Sequence, residues 1–173
     1  MPVMRSVMYV PSNNEKMVSK APTIACDVLT LDLEDSVPPA EKAKGREAIK
    51  SYLTAGRLEQ ASPNLYVRIN NWETEMTNDD LEAIVYPGLN GVCLAKCGEA
   101  DNVKRLDWKL QELEQRRGME PGTIGIQLLI ETAKGVINAY PAASESPRVN
   151  SLIFGAVDYT KDMRVTLTSE GVE

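Results

Sequence analysis

Acidic residues cluster at the end of one apolar run, where they could do chemistry together. The stretch Val28–Asp35 reads VLTLDLED, so Asp32, Glu34 and Asp35 lie close together in sequence. A carboxylate that is buried alone costs several kcal/mol, so this cluster is expected to be solvated, paired or bound to a cation. If the run is a β-strand, its alternation places Asp32 and Glu34 on the same face.

Charged or polar groups also follow the later apolar runs, namely Arg68 with Asn70, Lys96, Glu131 and Asp158. The planar fork of Arg68 suits a substrate carboxylate, and Glu34 or Asp35 is the expected anion that orients it. Glu131 and Asp158 end consecutive runs, so both could bind one cation. Oxygen ligands without histidine or cysteine favour Mg²⁺, which polarises carbonyls and stabilises a developing enolate. The pattern therefore indicates chemistry at carbon–carbon bonds.

Each of these residues also has a purely structural interpretation. Glu131 could be the acid that favours a helix start, and Asp158 and Asp35 could cap helices. Arg68 could form a salt bridge at the rim, and Lys96 could be solvated or structural. Their shared position at the ends of successive runs favours the functional interpretation.

The elements that must position these groups are short β-branched runs alternating with helical patterns. A spacing of roughly 25 to 35 residues between runs predicts βαβ units and a parallel sheet. Strands are predicted at Ser6–Val10, Val28–Leu33, Leu65–Ile69, Gly91–Ala95, Ile124–Ile130 and Leu152–Phe154. Helices are predicted from a Ser12-x-x-Glu15 capping box, from Pro38–Pro39 to Leu53, and over Thr77–Val85, Glu99–Arg117 and Lys134–Tyr140. In a (β/α) barrel, the C-terminal ends of the strands form the active-site rim.

Composition excludes several classes of function. The chain has 173 residues, 43% hydrophobic and 25% charged, which is typical of one globular domain. A net charge of −6 argues against a nucleic-acid surface. Histidine is absent from the sequence, which excludes Ser-His-Asp, Cys-His and His-ligated zinc mechanisms. Catalysis must then rely on carboxylates, arginine, lysine and a metal.

Cysteine usage and hydropathy predict a cytoplasmic protein. Three cysteines without the spacing of a disulfide framework fit a reducing compartment. Cys93 and Cys97 could form half of a metal site, but with one further cysteine and no histidine they are interpreted as strand packing. The first residues lack a signal peptide, and no run approaches the ~18 apolar residues of a membrane span.

Five segments resemble the citrate lyase β chain family of the HpcH/HpaI aldolase superfamily, which also holds malyl-CoA and citramalyl-CoA lyases. They occur in the order of that family and cover the chain from end to end. The segments are Arg5–Asn13 (RSVMYVPSN), Leu31–Val37 (LDLEDSV), Val67–Asn70 (VRIN), Ile130–Val136 (IETAKGV) and Phe154–Met163 (FGAVDYTKDM).

The resemblance implies an α/β fold, a (β/α)8 TIM-type barrel that here would end after about six βα units as one partial domain over residues 1–173. It implies Mg²⁺ bound by Glu131 and Asp158, with Arg68 on the substrate's carboxylate and carbonyl end and Glu34 and Asp35 supporting the site as catalytic residues. The implied reaction is a Claisen-type cleavage or condensation of an acyl-CoA thioester with a 2-oxo acid.

Further roles follow from the resemblance alone. By position, Lys96, Gly155 and Ala156 would bind substrate, whereas Tyr9, Asn14 and Lys20 would contact CoA. The family also suggests a homo-oligomer, namely a trimer, and other lyase subunits as partners.

This sequence departs from the family pattern at some positions. Val157 replaces a usual glutamate, Ser12 a usual glycine and Ala95 a usual proline, and a C-terminal acid of the family has no counterpart in these 173 residues. Two alternatives therefore stay open, an inactive, truncated barrel that serves as a binding or assembly subunit, and a pyruvate-type aldolase that does not use CoA.

Overall fold

The structure, a computed structural model, describes residues 3–55, 64–166 and 168–171. Six parallel strands form one sheet in these residues, and their order in the sheet follows the chain. The strands are β1 Val7–Pro11, β2 Val28–Asp32, β3 Asn64–Ile69, β4 Gly91–Leu94, β5 Gly125–Ile130 and β6 Val149–Phe154. The helices are α1 Glu15–Lys20, α2 Lys42–Thr54, α3 Thr77–Ile84, α4 Ala100–Arg116, α5 Ala133–Ile137, α6 Ala139–Ser144 and α7 Ala156–Asp162.

The six predicted strands and their parallel arrangement are confirmed. Every residue of β2 and β4 is buried, because both faces of a parallel sheet are covered and its strands are apolar throughout. One face of the sheet packs against the helices through residues such as Leu31, Val67 and Ile126. The alternation along each strand directs Asp32 and Arg68 to the opposite face.

Helix α4 shows how the sequence pattern produces a packed helix. Four residues at steps of three and four are fully buried, which fixes the face that contacts the sheet: Val103, Leu106, Leu110 and Leu113. The side chains of Glu99 and Asn102 form a capping box at its start. Gly118 follows the helix with φ of 67°, a left-handed conformation that glycine adopts without steric cost.

Two helix predictions are wrong in detail. Helix α1 is capped by Asn14, whose side chain accepts from the Met17 amide, rather than by Ser12. Ser12 is buried against Gly45 of α2 instead, where an added Cβ would lie 2.4 Å from the Ser12 hydroxyl oxygen.

The helix predicted over Lys134–Tyr140 is also different, since it is two short helices that meet at Asn138. Pro141 lies inside α6 rather than closing it. Proline is tolerated there because the first amides of a helix have no intrahelical acceptor.

The outer strands of the sheet are β1 and β6. In the described residues, β1 and β6 each pair with one neighbouring strand. Leu152 and Phe154 of β6 are exposed.

Cys93 and Cys97 are buried free thiols, as their packing interpretation predicts. No helix in the described ranges combines the length and the apolar character needed to cross a membrane.

Candidate active site

The charged residues singled out in the sequence lie at the C-terminal ends of the strands. Asp32 is the last residue of β2, and Arg68 faces it directly in the register of β3. Lys96 and Glu131 follow β4 and β5, and Asp158 lies in the first turn of α7 after β6. Because parallel strands end at the same edge, these groups belong to one rim.

Arg68 is held mainly by Asp32. Its Nε donates to Asp32 Oδ1 at 2.7 Å and its Nη2 donates to the other carboxylate oxygen. Glu34 adds an ion pair, with its Oε2 3.3 Å from Arg68 Nη1. The prediction of Glu34 as an anion for Arg68 is therefore confirmed, whereas the main partner was missed. The strand alternation that pairs Asp32 with Glu34 was the signal that could have identified it.

Lys96 connects the carboxylate cluster to Glu131. Its ammonium contacts Glu34 and lies 3.2 Å from both oxygens of Asp35. Its backbone amide donates to Glu131 Oε1 at 2.9 Å. The φ of Lys96 is 49°, which is uncommon for a residue with a side chain and persists only where contacts enforce it. These contacts fix Lys96 at the rim, where it forms an ion pair with Asp35.

Burial and charge set the protonation of this cluster. Burial favours the neutral form of Asp32, but the hydrogen bonds and charge of Arg68 outweigh it and lower the pKa of this carboxyl. Burial raises the pKa of Glu34, against the opposing effects of Lys96 and Arg68. Burial alone would lower the pKa of Lys96. The contacts of its ammonium group with Glu34 outweigh burial, so the pKa is raised. Arg68 and Lys96 are therefore fixed cations that face the rim.

Glu131 is a buried carboxyl group beside a second acid. It is 3% exposed, and burial raises its pKa to about 7. The Lys96 amide opposes this shift, whereas the charges of Glu34 and Asp158 add to it. Gly155 makes room for Glu131, because an added Cβ at Gly155 would lie 2.8 Å from Glu131 Oε2.

The helix caps next to these acids are other residues. Thr132 caps α5 with its side chain, and Gly155 is the N-cap position of α7. The interpretation of Asp158 as an N-cap is therefore wrong, since it lies inside the first turn.

The pair of Glu131 and Asp158 fits a hard divalent cation. The charge of Asp158 disfavours ionisation of the buried Glu131, and a cation between the two carboxylates would remove that cost. Mg²⁺ usually binds one or two carboxylates and keeps waters or substrate oxygens at its other positions. Across residues 3–55, 64–166 and 168–171, three or more acids or thiols do not converge into a closed metal site. The two carboxylates could hold a divalent cation that keeps its other positions for waters or substrate oxygens.

The three residues expected to contact CoA lie in different places. Tyr9 is on β1, where its ring centre lies 5.3 Å from the Arg68 guanidinium carbon and its hydroxyl 3.9 Å from Cys93 Sγ. Asn14 and Lys20 lie at the two ends of α1. Asn14 lines a groove of about 490 Å³ beyond β1 and β2, together with Pro11, Asn13, Glu15, Lys16, Ser36 and Lys44.

Two further residues, Ala156 and Lys42, lie near the rim. Ala156 is exposed at the first position of α7, next to Gly155. Lys42 starts α2 and is buried behind the Glu34 turn, with its ammonium on the carbonyl oxygens of Leu33 and Glu34. Sequence reasoning missed Lys42, because a lysine in a charged segment at a helix start is indistinguishable from a solvated one.

A family profile matches almost the whole chain. The profile of HpcH/HpaI aldolase/citrate lyase covers residues 5–173. The chain belongs to this family. Citrate lyase subunit beta of Leuconostoc mesenteroides subsp. cremoris is 34% identical over 169 residues, which is 98% of this chain and 55% of that protein. The L-malyl-CoA/beta-methylmalyl-CoA lyase of Rhodobacter capsulatus is 28% identical over 96% of this chain and 52% of its own length.

A solved structure in the family has the same fold. The citrate lyase beta subunit of Mycobacterium tuberculosis complexed with oxaloacetate and magnesium aligns with a TM-score of 0.73 and 26% identity. The alignment covers 95% of this chain and 65% of that chain. The prediction of a TIM-type barrel sheet with about six βα units is confirmed, and this chain spans about half the length of the two relatives named above.

Proposed function

We propose that this chain carries the metal and oxo-acid side of a Mg²⁺-dependent carbon–carbon lyase. The enzyme would cleave or form a hydroxyacyl-CoA thioester of the citryl, malyl or citramalyl type through an enolate. The observation that carries this proposal is that a pair of acids and a guanidinium group lie at the same rim. These are the buried Glu131 carboxyl beside Asp158, and an Arg68 guanidinium held in place by Asp32.

The chain's own residues have distinct parts in this reaction. Glu131 and Asp158 would hold Mg²⁺, which when bound polarises a carbonyl and stabilises negative charge on oxygen. Arg68 is oriented by Asp32 and Glu34, and its remaining N–H groups can donate to the carboxylate of a 2-oxo acid. Lys96, fixed by Glu34 and Asp35, supplies a second positive charge next to that anion. Gly155 and Ala156 border the same acids.

The groove at Asn14 supports a CoA thioester as the second substrate. Its volume of about 490 Å³ lies in the range of small-molecule sites. Lys16 and Lys44 line it, and their ammonium groups suit the phosphates of CoA. A larger groove of about 720 Å³ between α1 and α2 shares both lysines. These features favour the CoA-dependent lyase over an aldolase that does not use CoA.

The proposal is tested by assaying malyl-, citramalyl- and citryl-CoA cleavage with and without Mg²⁺. Mg²⁺ binding is measured in parallel by calorimetry. Loss of even an outer-shell partner typically costs 10–100-fold in metal affinity, so loss of the proposed direct ligand in Glu131→Gln should weaken Mg²⁺ binding by at least roughly 100-fold. Glu145→Gln is the matched control, because this glutamate is exposed at the end of α6.

Three results would contradict the proposal. Unchanged Mg²⁺ affinity in Glu131→Gln would remove the metal assignment. Mg²⁺ binding without cleavage of any of the three thioesters would instead favour a binding or assembly subunit. Cleavage of a free hydroxy acid without CoA would favour the pyruvate-type aldolase.

A further inference from the structure

One buried cation behind the rim has no part in the proposed reaction. Lys42 is 7% exposed, and its ammonium donates three hydrogen bonds. The acceptors are the carbonyl oxygens of Leu33 at 2.6 Å and Glu34 at 2.7 Å, and Asn70 Oδ1 at 2.9 Å. An ammonium group has three N–H donors, so every donor of this buried charge has a partner.

Asn70 extends this arrangement from β2 to the next strand and helix. Its side-chain amide donates to the Leu33 carbonyl at 3.0 Å and to Asp80 Oδ2 at 2.7 Å, and its backbone amide donates to the same Asp80 oxygen. Arg46 of α2 donates to the other oxygen of Asp80 at 2.8 Å. Lys42 therefore lies in a continuous polar network that joins the ends of β2 and β3 to α2 and α3.

The network also balances the acids of the VLTLDLED segment. Burial lowers the pKa of Lys42, but the charges of Asp80, Glu34, Asp32 and Asp35 oppose the shift. The Lys42 ammonium is thus within electrostatic range of four carboxylates, although its hydrogen bonds go to two backbone carbonyls and to Asn70. Removal of its charge would change the charge balance of the turn.

Glu34 links this buried network to the exposed rim. Its backbone carbonyl accepts from Lys42, whereas its carboxylate contacts both Lys96 and Arg68. Holding the carbonyl holds the peptide plane that carries the side chain. A displacement of about 1 Å at a positioned group can cost roughly 100-fold in a reaction.

We propose that Lys42 is a positioning residue for the anion-binding side of the rim. By clamping the carbonyls of Leu33 and Glu34, it sets where the Glu34 carboxylate places the Arg68 guanidinium and the Lys96 ammonium. A ligand with a carboxylate next to a carbonyl then meets two preorganised cations. The identity of this ligand as a 2-oxo acid rests on the proposed function, whereas the positioning of Arg68 does not.

The test compares Lys42→Met with Lys50→Met in the same chain. Lys50 lies on the same helix, and the control makes the same chemical change away from the network. Three quantities are measured: the pyruvate Kd at saturating Mg²⁺, the Mg²⁺ Kd without pyruvate, and the ¹H–¹⁵N resonance of Arg68 Nη1, the nitrogen that lies next to Glu34. Lys42→Met should weaken pyruvate binding by about tenfold, as for loss of a supporting hydrogen bond, and shift the Arg68 resonance.

The Mg²⁺ Kd should stay within about twofold in Lys42→Met, because Lys96 contacts Glu131 through its backbone amide, whereas only its ammonium contacts Glu34. A loss of both affinities in proportion to a lower Tm would show a purely structural role and overturn the proposal. Unchanged pyruvate affinity together with an unchanged Arg68 resonance would also overturn it. Lys50→Met should match the wild-type chain in all three measurements.

Two further outcomes are distinguishable. If the wild-type chain binds no pyruvate, the proposed function fails, and the Arg68 resonance of Lys42→Met alone decides the positioning role. If Lys42→Met does not fold, Lys42→Arg is used, since it keeps the charge but cannot direct three donors from one nitrogen. A pyruvate Kd raised by about threefold with unchanged Mg²⁺ binding then supports the proposal, and a wild-type Kd overturns it.

Discussion

Asp32 and Arg68 depend on each other because both are largely removed from water. The Asp32 side chain is 1% exposed and the Arg68 side chain is 14% exposed. Without Arg68, Asp32 would lose its paired cation, and without Asp32, Arg68 would keep only its ion pair with Glu34. The acids of the VLTLDLED segment are thus explained by pairing, since Arg68, Lys96 and Lys42 surround them.

Removal of the Asp32 charge should be strongly destabilising. Asp32→Asn removes the main anion of a buried guanidinium and leaves it with Glu34 alone, so the free energy of unfolding should fall by about 3 kcal/mol. Urea unfolding followed by circular dichroism measures the change. Asp79→Asn is the control, because the Asp79 side chain is 73% exposed in its ion pair with Arg46 and should change stability by less than about 0.5 kcal/mol. Equal effects of the two variants would contradict the assignment.

Glu131 should make the metal-free chain less stable as the pH rises. Its folded pKa of about 7 lies above the unfolded value of about 4.3, so between these values the folded state binds more protons than the unfolded state. Its contribution therefore favours folding at low pH and is lost as the pH rises towards 7. Asp32, with a lowered pKa, acts in the opposite direction, and its contribution is lost in acid below its unfolded value.

The measurement is urea unfolding between pH 5 and pH 8, chosen as a window of about three units around the Glu131 transition, in the presence of a chelator. Glu131→Gln should remove the decline that Glu131 causes, whereas Glu145→Gln should keep it. An unaltered pH dependence in Glu131→Gln would show that this carboxyl titrates normally in the folded chain.

At the scale of elements, the turn from β6 into α7 joins the two segments that carry the proposed metal ligands. Gly155 donates its backbone amide to the carbonyl of Ile130 on β5, and Ala133 donates its amide to Asp162 of α7. The segments after β5 and β6, which carry Glu131 and Asp158, are therefore joined in two places.

Gly155→Ala should disturb this junction without altering any charge. An added Cβ would lie 2.8 Å from both Cβ and Oε2 of Glu131, closer than real contacts allow, so the carboxylate must move. The Mg²⁺ Kd from calorimetry should rise by roughly tenfold. Gly98→Ala is the matched control, since its Cβ would meet Lys134 at an ordinary 3.5 Å. The same Kd in both variants would contradict the contact between Gly155 and Glu131.

At the scale of the whole molecule, the sheet has two edges that carry unpaired backbone groups in the described residues. Leu152 is 47% exposed and Phe154 is 58% exposed on the β6 edge. Open edges with apolar side chains promote pairing with another chain. These edges are therefore the surface of the sheet expected to pair with another chain.

The 173-residue chain expressed alone should therefore associate with itself as its concentration rises. Leu152→Lys should reduce this association, because a charge on an edge strand opposes pairing. Sedimentation velocity over a concentration series measures the effect. Gln111→Lys, an exposed position on α4, makes a similar change of charge away from the edge and should leave association unaltered. Equal suppression by both variants would indicate a general charge effect.

Much of the fold was predictable because it depends on local pattern. Runs of β-branched residues at regular spacing specify buried parallel strands, and the apolar steps of α4 specify its packed face. The short helices were predicted less well. A proline after a helical pattern predicts the end of a helix, but Pro141 lies in the first turn of α6, because a second helix begins after Asn138.

The sequence by itself determined the family, the parallel sheet and which charged residues stand at the strand ends, since these follow from residue type and spacing. Only the tertiary structure decided their partners. Asp32 pairs with Arg68 because the register of β2 and β3 places them side by side, and Asp35 pairs with Lys96. Lys42 is buried because the turn after β2 folds over it. Partner choice depends on distances across strands, which spacing along one chain does not contain.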